Sequence, residues 1–177
     1  MGKRAKKAAD EAERERRAAP VLALIERAFD GAPVPDQDHR TLFQAEAWDG
    51  YQLVDRLRDH EGRWQDLPAR HIRACQNALP HLDEQGIQYY LPAIMWILIR
   101  NPGKDYGQIR ASLGYTLRPS TGELKDHQCR RFRLLTPLQR QAILAFLQFL
   151  EEPEEDLEPW RRVVACGDDP RWFRKFY

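Results

Sequence analysis

The sequence predicts an all-α fold, a single compact multi-helix domain built around one buried central helix. Three observations predict it. Thr41 to Gln44 (T-L-F-Q) and Thr136 to Gln139 (T-P-L-Q) are capping-box patterns, in which a hydroxyl and a side-chain amide satisfy free backbone N–H groups where a helix starts. Apolar residues then recur at helical spacing. Between the two boxes, the thirteen residues from Ile87 to Ile99 contain Gln88 as their one strongly polar side chain. A membrane span needs about 20 apolar residues, whereas a run of roughly 10 to 14 suits a buried core helix.

Composition sets the outer limits. With 177 residues, 42% hydrophobic and 31% charged, the chain can close one core, its apolar material gathered in segments. Lys plus Arg number 28 against 27 Asp plus Glu, net charge +1, so no general attraction to nucleic acid or an acidic membrane exists and any such partner needs a local patch. The N-terminus lacks the 7 to 15 apolar residues, roughly, of a secretory signal, which makes the cytoplasm the expected location. Cys75, Cys129 and Cys166 are odd in number and lack CxxC spacing. That argues against a disulfide framework or a zinc ribbon and for reduced thiols.

Three regions follow. Residues 1–19 form a charged arm: from Lys3 to Arg17 seven basic residues less four acidic ones leave +3 on an Ala-rich background. The arm has helix propensity but nothing to bury, so alone it should fray. Residues 20–166 form the helical domain and 167–177 an aromatic, basic tail. Within the domain, Pro20 suits a first helical turn, with Val21, Ile25, Ala28 and Phe29 on one face. Thr41 starts a helix to about Asp49, and Leu53, Val54 and Leu57 continue its stripe. Pro68 opens another, with Ile72, Cys75 and Leu79 inward until Pro80. Asp83 is placed to cap the central segment, which Pro92 either kinks or restarts. Ile94, Trp96, Ile97 and Leu98 are expected at its centre. Residues 104 to 131 are the least legible: a short helix at 105–113 is compatible with them, and so is a small β-hairpin within 113–135 across the R-P-S-T-G-E turn. Thr136, with Pro137 at the first helical position, begins a helix that ends at Glu151-Glu152-Pro153. A last helix carries Trp160, Val163 and Val164 and should stop at Gly167.

Gly86, Ile87, Tyr89, Tyr90, Leu91, Pro92 and Ala93, followed by Leu135, Thr136, Pro137, Gln139 and Arg140, resemble an uncharacterised family of small bacterial proteins. That family carries a G-F-x-F-Y-L-P-A-like stretch and a later L-T-P-x-Q-R helix start. Flanking Ala45-Glu46-Ala47, Trp64, Asp66, Pro68, Leu82-Asp83 and Trp160 extend the resemblance over about residues 20 to 164. Ile87 stands where an aromatic is expected. The resemblance implies a helical fold and transfers no activity.

Several groupings suggest chemistry. His71 and Cys75, His81, and His127 with Cys129 would suit zinc by ligand type, but no zinc-finger or HExxH spacing occurs, so no metal and no cofactor is assigned. Cys129, between His127 and Arg130-Arg131, is the thiol with the most polar setting, yet no third partner is in sight. Glu46, between two alanines, invites Arg140 as a structural partner, since a buried charge must be paired. Tyr89 and Tyr90 point to different sides of one helix. The run from Glu151 to Glu158 holds six acidic residues in eight without calcium-loop spacing and reads as a solvated linker.

By elimination, the sequence points to a non-enzymatic protein-binding module, a toxin-neutralising immunity protein being one concrete version. The alternative is an enzyme with a groove lined by Glu46, Tyr89 and Arg140, which must converge in space. A second alternative is weak nucleic-acid binding through the basic arm. In the tail, Trp172, Phe173, Arg174, Phe176 and Tyr177 are either docked onto the protein's own helices or are the anchor for a protein partner, being the residue types that dominate interface hot spots.

Overall fold

The computed structural model describes residues 2–51, 59–102, 104, 106 and 108–177. Their regular structure is helical: α1 (Lys3–Ala28), α2 (Leu42–Asp49), α3 (Ala69–Ala74), α4 (Glu84–Arg100), α5 (Gln108–Leu117), α6 (Glu123–Phe132), α7 (Pro137–Phe149) and α8 (Glu154–Ala165). Short 3-10 turns lie at Trp64–Asp66, Leu79–His81 and Trp172–Lys175. The stripe read at Leu53, Val54 and Leu57 lies outside the described residues.

The helix starts obey local chemistry. Thr41 Oγ1 accepts from Gln44 N (3.3 Å) while Gln44 Oε1 accepts from Thr41 N (3.0 Å). Thr136 and Gln139 repeat the exchange at 3.2 and 3.0 Å, and Asp83 Oδ1 caps α4 through Gly86 N at 2.9 Å. Eleven residues of α4 are buried, which makes it the central helix, packed by α1, α6 and the Trp64–Asp66 turn. It runs unbroken through Pro92. Ile94 and Ile97 lie in the core, but Trp96 and Leu98 are only half-buried. The side of α4 that carries Trp96 is closed by polar groups: Nε1 donates to Glu26 Oε1 at 3.2 Å and the Arg100 guanidinium covers the ring at 4.3 Å. An all-round apolar sequence does not reveal that.

Three further expectations change. Residues 3–28 are one helix, with Pro20 inside it on the exposed side. Its ring faces water next to exposed Arg16, whose carbonyl is the one deprived of a donor, and a solvent-side carbonyl loses least. No hairpin forms in 113–135, which instead holds the end of α5, a turn and all of α6. Gly122 (φ 61°) turns the chain there in a conformation that side chains disfavour. The acidic run is not a linker either. Glu154, Glu155 and Asp156 form the first turn of α8, where carboxylates complement the helix dipole, and buried Asp156 takes a two-pronged ion pair from Arg118 at 2.7 Å.

Gly86 shows why the G-I-Q-Y-Y-L-P-A stretch begins as it does. A Cβ on Gly86 would stand 2.9 Å from the carbonyl oxygen of Arg40 and 2.9 Å from Leu82 Cδ2. The carbonyl belongs to backbone held by Asp83, since Arg40 N donates to Asp83 Oδ2 at 2.7 Å. Gly86→Ala should therefore force the two segments apart and cost about 1 to 3 kcal/mol in urea unfolding, as overpacking does. A neutral substitution would show that the contact is slack.

Candidate functional site

The Leu79–His81 turn lies between α2 and α5 and is held from three sides. Arg40 Nη1 donates to His81 O at 2.8 Å, His81 Nε2 meets Asp49 Oδ1 at 3.2 Å, and Ser112 Oγ of α5 donates to Gln76 O at 3.1 Å. From α6, Arg131 donates Nε to Leu82 O at 2.7 Å and Nη2 to Leu79 O. The outcome is a pocket of about 390 Å³ between the turn, α5 and α6, lined in part by His81, Tyr115, Thr116, Leu124, His127 and Arg131.

Its electrostatics are asymmetric. Arg131 is 5% exposed, and burial lowers its pKa to about 10, so it stays charged at neutral pH. Burial, with Arg131 beside it, holds His127 below the ordinary histidine range and hence neutral at pH 7. Gln128 fixes the far wall: Nε2 donates to Thr116 O and Arg118 O, and Oε1 accepts from Ser120 N. Outside, the rim is apolar and aromatic. Tyr115 is 58% and Leu124 51% exposed, and on α2, which packs on the turn from the other side, Trp48 is 60% exposed. The Arg40 guanidinium stands 4.2 Å from the Trp48 ring, joining that side of the face to His81.

The groove residues expected from the sequence do not line this pocket, and Glu46, Tyr89 and Arg140 bond to other groups rather than to one another. Glu46 accepts from Asn77 N at 2.7 Å and from Asn77 Nδ2 at 3.3 Å. Tyr89 donates to Gly62 O at 2.6 Å. Arg140 donates to Leu135 O at 2.8 Å and to Gly167 O, with its guanidinium 4.5 Å from the centre of the Trp172 ring. Glu46 and Tyr89 are thus engaged by Asn77 and Gly62, and Arg140 binds two carbonyls while its buried Nε has no hydrogen-bond partner among the described residues; carbonyl and Asn77 contacts stand in place of the expected Glu46–Arg140 pair.

The tail is docked on the protein itself. Trp172 and Phe176 are buried, Phe173 and Tyr177 half-buried, and Arg174 exposed. Phe176 meets Trp160 edge-on at 4.9 Å, and Tyr177 Oη donates to Gln128 Oε1 at 2.7 Å. An anchor built on Trp172 and Phe176 would first have to undock them. The basic arm is partly committed as well: Arg14 donates to Ile99 O at 2.6 Å, Arg16 pairs with Glu13, and Arg17 pairs with Glu151. His71 meets the Phe43 ring edge-on at 5.2 Å, and among the described residues no three His, Cys, Asp or Glu side chains are grouped to hold a metal ion.

A family of unknown function, DUF6714, matches residues 17–165. The chain belongs to that family. The matched span contains every helix from α2 to α8, the pocket, and both stretches that carry the resemblance noted above. No curated protein and no solved structure matches the chain. No helix among the described residues is long and apolar enough to cross a membrane.

The pocket was hidden in the sequence because its floor is polar. Tyr115, Thr116, Leu124 and Arg131 fall in the stretch where the sequence leaves helix and hairpin open. The inward positions of α6 are Gln128, Arg131 and Phe132, a helical spacing of i, i+3 and i+4 in which two members are residues ordinarily counted as outward. Sequence reading did note His81 and His127, but as members of a metal set rather than as walls of one cavity.

Proposed function

We propose that the protein is a non-enzymatic protein-binding module, acting in the bacterial cytoplasm, that docks its partner on the face around the Leu79–His81 turn. A toxin-neutralising immunity protein is the concrete form of this role. One observation carries the reading: Tyr115 and Leu124 line the pocket beside the Leu79–His81 turn, Trp48 is tied to the same turn through Arg40, and all three are more than half exposed. Large aromatics left in water forfeit burial, and Trp, Tyr and Arg are the types that dominate interface energetics. Arg40 against Trp48 and the His81–Asp49 contact pre-order part of that surface, which lowers the entropy cost of association. The bonds of Glu46 to Asn77, of Tyr89 to Gly62 O and of Arg140 to Leu135 O engage these side chains structurally, which supports the binding reading over the enzymatic alternative.

A photo-cross-linking amino acid placed at Tyr115 in the native cell tests this. Discrete protein adducts are expected from position 115, and none from the exposed position Gln148 on α7. Identical adducts at both positions, or none at either, would overturn the reading.

A further inference from the structure

We propose that the pocket between α5, α6 and the Leu79–His81 turn receives a carboxylate from an acidic segment of the protein partner, with Arg131 as its cationic floor; this rests on the protein-binding reading above. A guanidinium buried to this degree ordinarily has a carboxylate beside it, because an isolated buried charge is costly. Arg131 has carbonyls instead. Two of its nitrogens are bonded to Leu82 O and Leu79 O, and no carboxylate among the described residues is in ion-pair contact with it. Asp83 adds favourable field at Arg131, but its oxygens are taken by Gly86 N and Arg40 N, and Asp49 meets His81. A second group in the same wall is also left over. Thr116 is 1% exposed, and its hydroxyl has no hydrogen-bond partner among the described residues. Two buried polar groups in one pocket, one of them cationic, describe a site for an anion with hydrogen-bond acceptors.

The chemistry favours a carboxylate on a peptide over a phosphate. Arg131 is the fixed charge of the floor, and His127 is neutral at physiological pH, so the pocket matches a single negative charge. Arg40 and Arg130 add positive field from its margin, which suits an acidic sequence around the inserted side chain. Pro80, Tyr115 and Leu124 supply an apolar wall for the methylenes of a Glu and for the apolar neighbours of an acidic residue. A nucleic-acid backbone would need several cations along a track, and a wall of this kind does not offer them.

The test follows the Arg131 Nε–H resonance during NMR titration of the full chain. Four probes are used: an acetylated and amidated Ala-Leu-Glu-Leu-Ala peptide, its Gln counterpart, inorganic phosphate, and a uridine decamer. The Glu peptide is expected to shift the resonance saturably, and the Gln peptide to bind about tenfold more weakly or worse, as loss of a charged hydrogen bond implies. Equal binding of the two peptides, no saturable shift, or preference for phosphate or RNA would each overturn the proposal. Because Arg131 also holds two carbonyls, its substitution risks unfolding. Leu124→Glu, at an exposed rim position, should keep the melting temperature and weaken the Glu peptide by about tenfold through like-charge repulsion. Undiminished binding to that variant would also refute the assignment. Cross-links from Tyr115 without Glu-peptide binding would remove the carboxylate and leave the interface, whereas absence of those cross-links would remove the interface itself.

Discussion

Trp160→Ala should cost about 3 to 5 kcal/mol in urea unfolding, the range for truncating a fully buried aromatic. Trp160 is 0% exposed and ties α8 to three neighbours at once. Its Nε1 donates to Leu117 O at the end of α5 (2.9 Å), its ring packs on Phe132 of α6 at 5.7 Å, and it meets Phe176 of the tail at 4.9 Å. Truncation therefore opens a cavity where little can collapse inward, because the surrounding rings are held by their own contacts. With a domain margin of roughly 5 to 15 kcal/mol, a fifth or more of the stability would go. Trp160→Phe separates packing from the hydrogen bond. It keeps most of the ring and orphans Leu117 O, for which about 1 to 3 kcal/mol is expected. A loss below about 1 kcal/mol for the alanine variant would mean that the α5, α6 and α8 contact is not as described.

The parts of the fold that were legible in the sequence are those fixed by neighbours in the chain. Thr41, Asp83 and Thr136 cap helices because a short side chain meets an N–H two or three residues away, a relation that sequence spacing contains. Ile87 to Ile99 is central because nearly every side chain there prefers burial. What was not legible depends on partners remote in sequence. Glu46 turns to Asn77 and Arg140 to Gly167 O and the Trp172 ring, and no local pattern names either. Trp96 has the composition of a core residue but sits under Arg100 and Glu26. The pocket fails to show for the opposite reason. Its inward residues, Thr116, Gln128 and Arg131, are polar, so the helical period of α6 disappears when only apolar residues are counted. The candidate site is thus the place where local preference and tertiary placement disagree, as binding sites commonly are.

Deleting residues 170–177 should lower stability by about 3 to 6 kcal/mol, the sum for two large aromatics returned to water, and the melting temperature by on the order of 10 to 20 °C. Trp172 and Phe176 are the two buried rings removed. The loss spreads inward. Without Phe176, Trp160 and Phe132 face solvent on one side; without Trp172, the Arg140 guanidinium loses the ring 4.5 Å away and keeps only carbonyl partners. Tyr177 goes too, releasing Gln128 Oε1 on the wall behind the pocket. Because the tail and Trp160 share contacts, the deletion and Trp160→Ala should not add: the double variant is expected to lose less than the sum of the two. Partner cross-linking from Tyr115, measured at a temperature where the shortened chain is still folded, should persist, since no residue of the tail lines the pocket that Tyr115 borders. The reverse result would restore the anchor reading: an unchanged melting temperature with the cross-links lost would mean that Trp172, Phe173, Arg174, Phe176 and Tyr177 serve the partner and not the core.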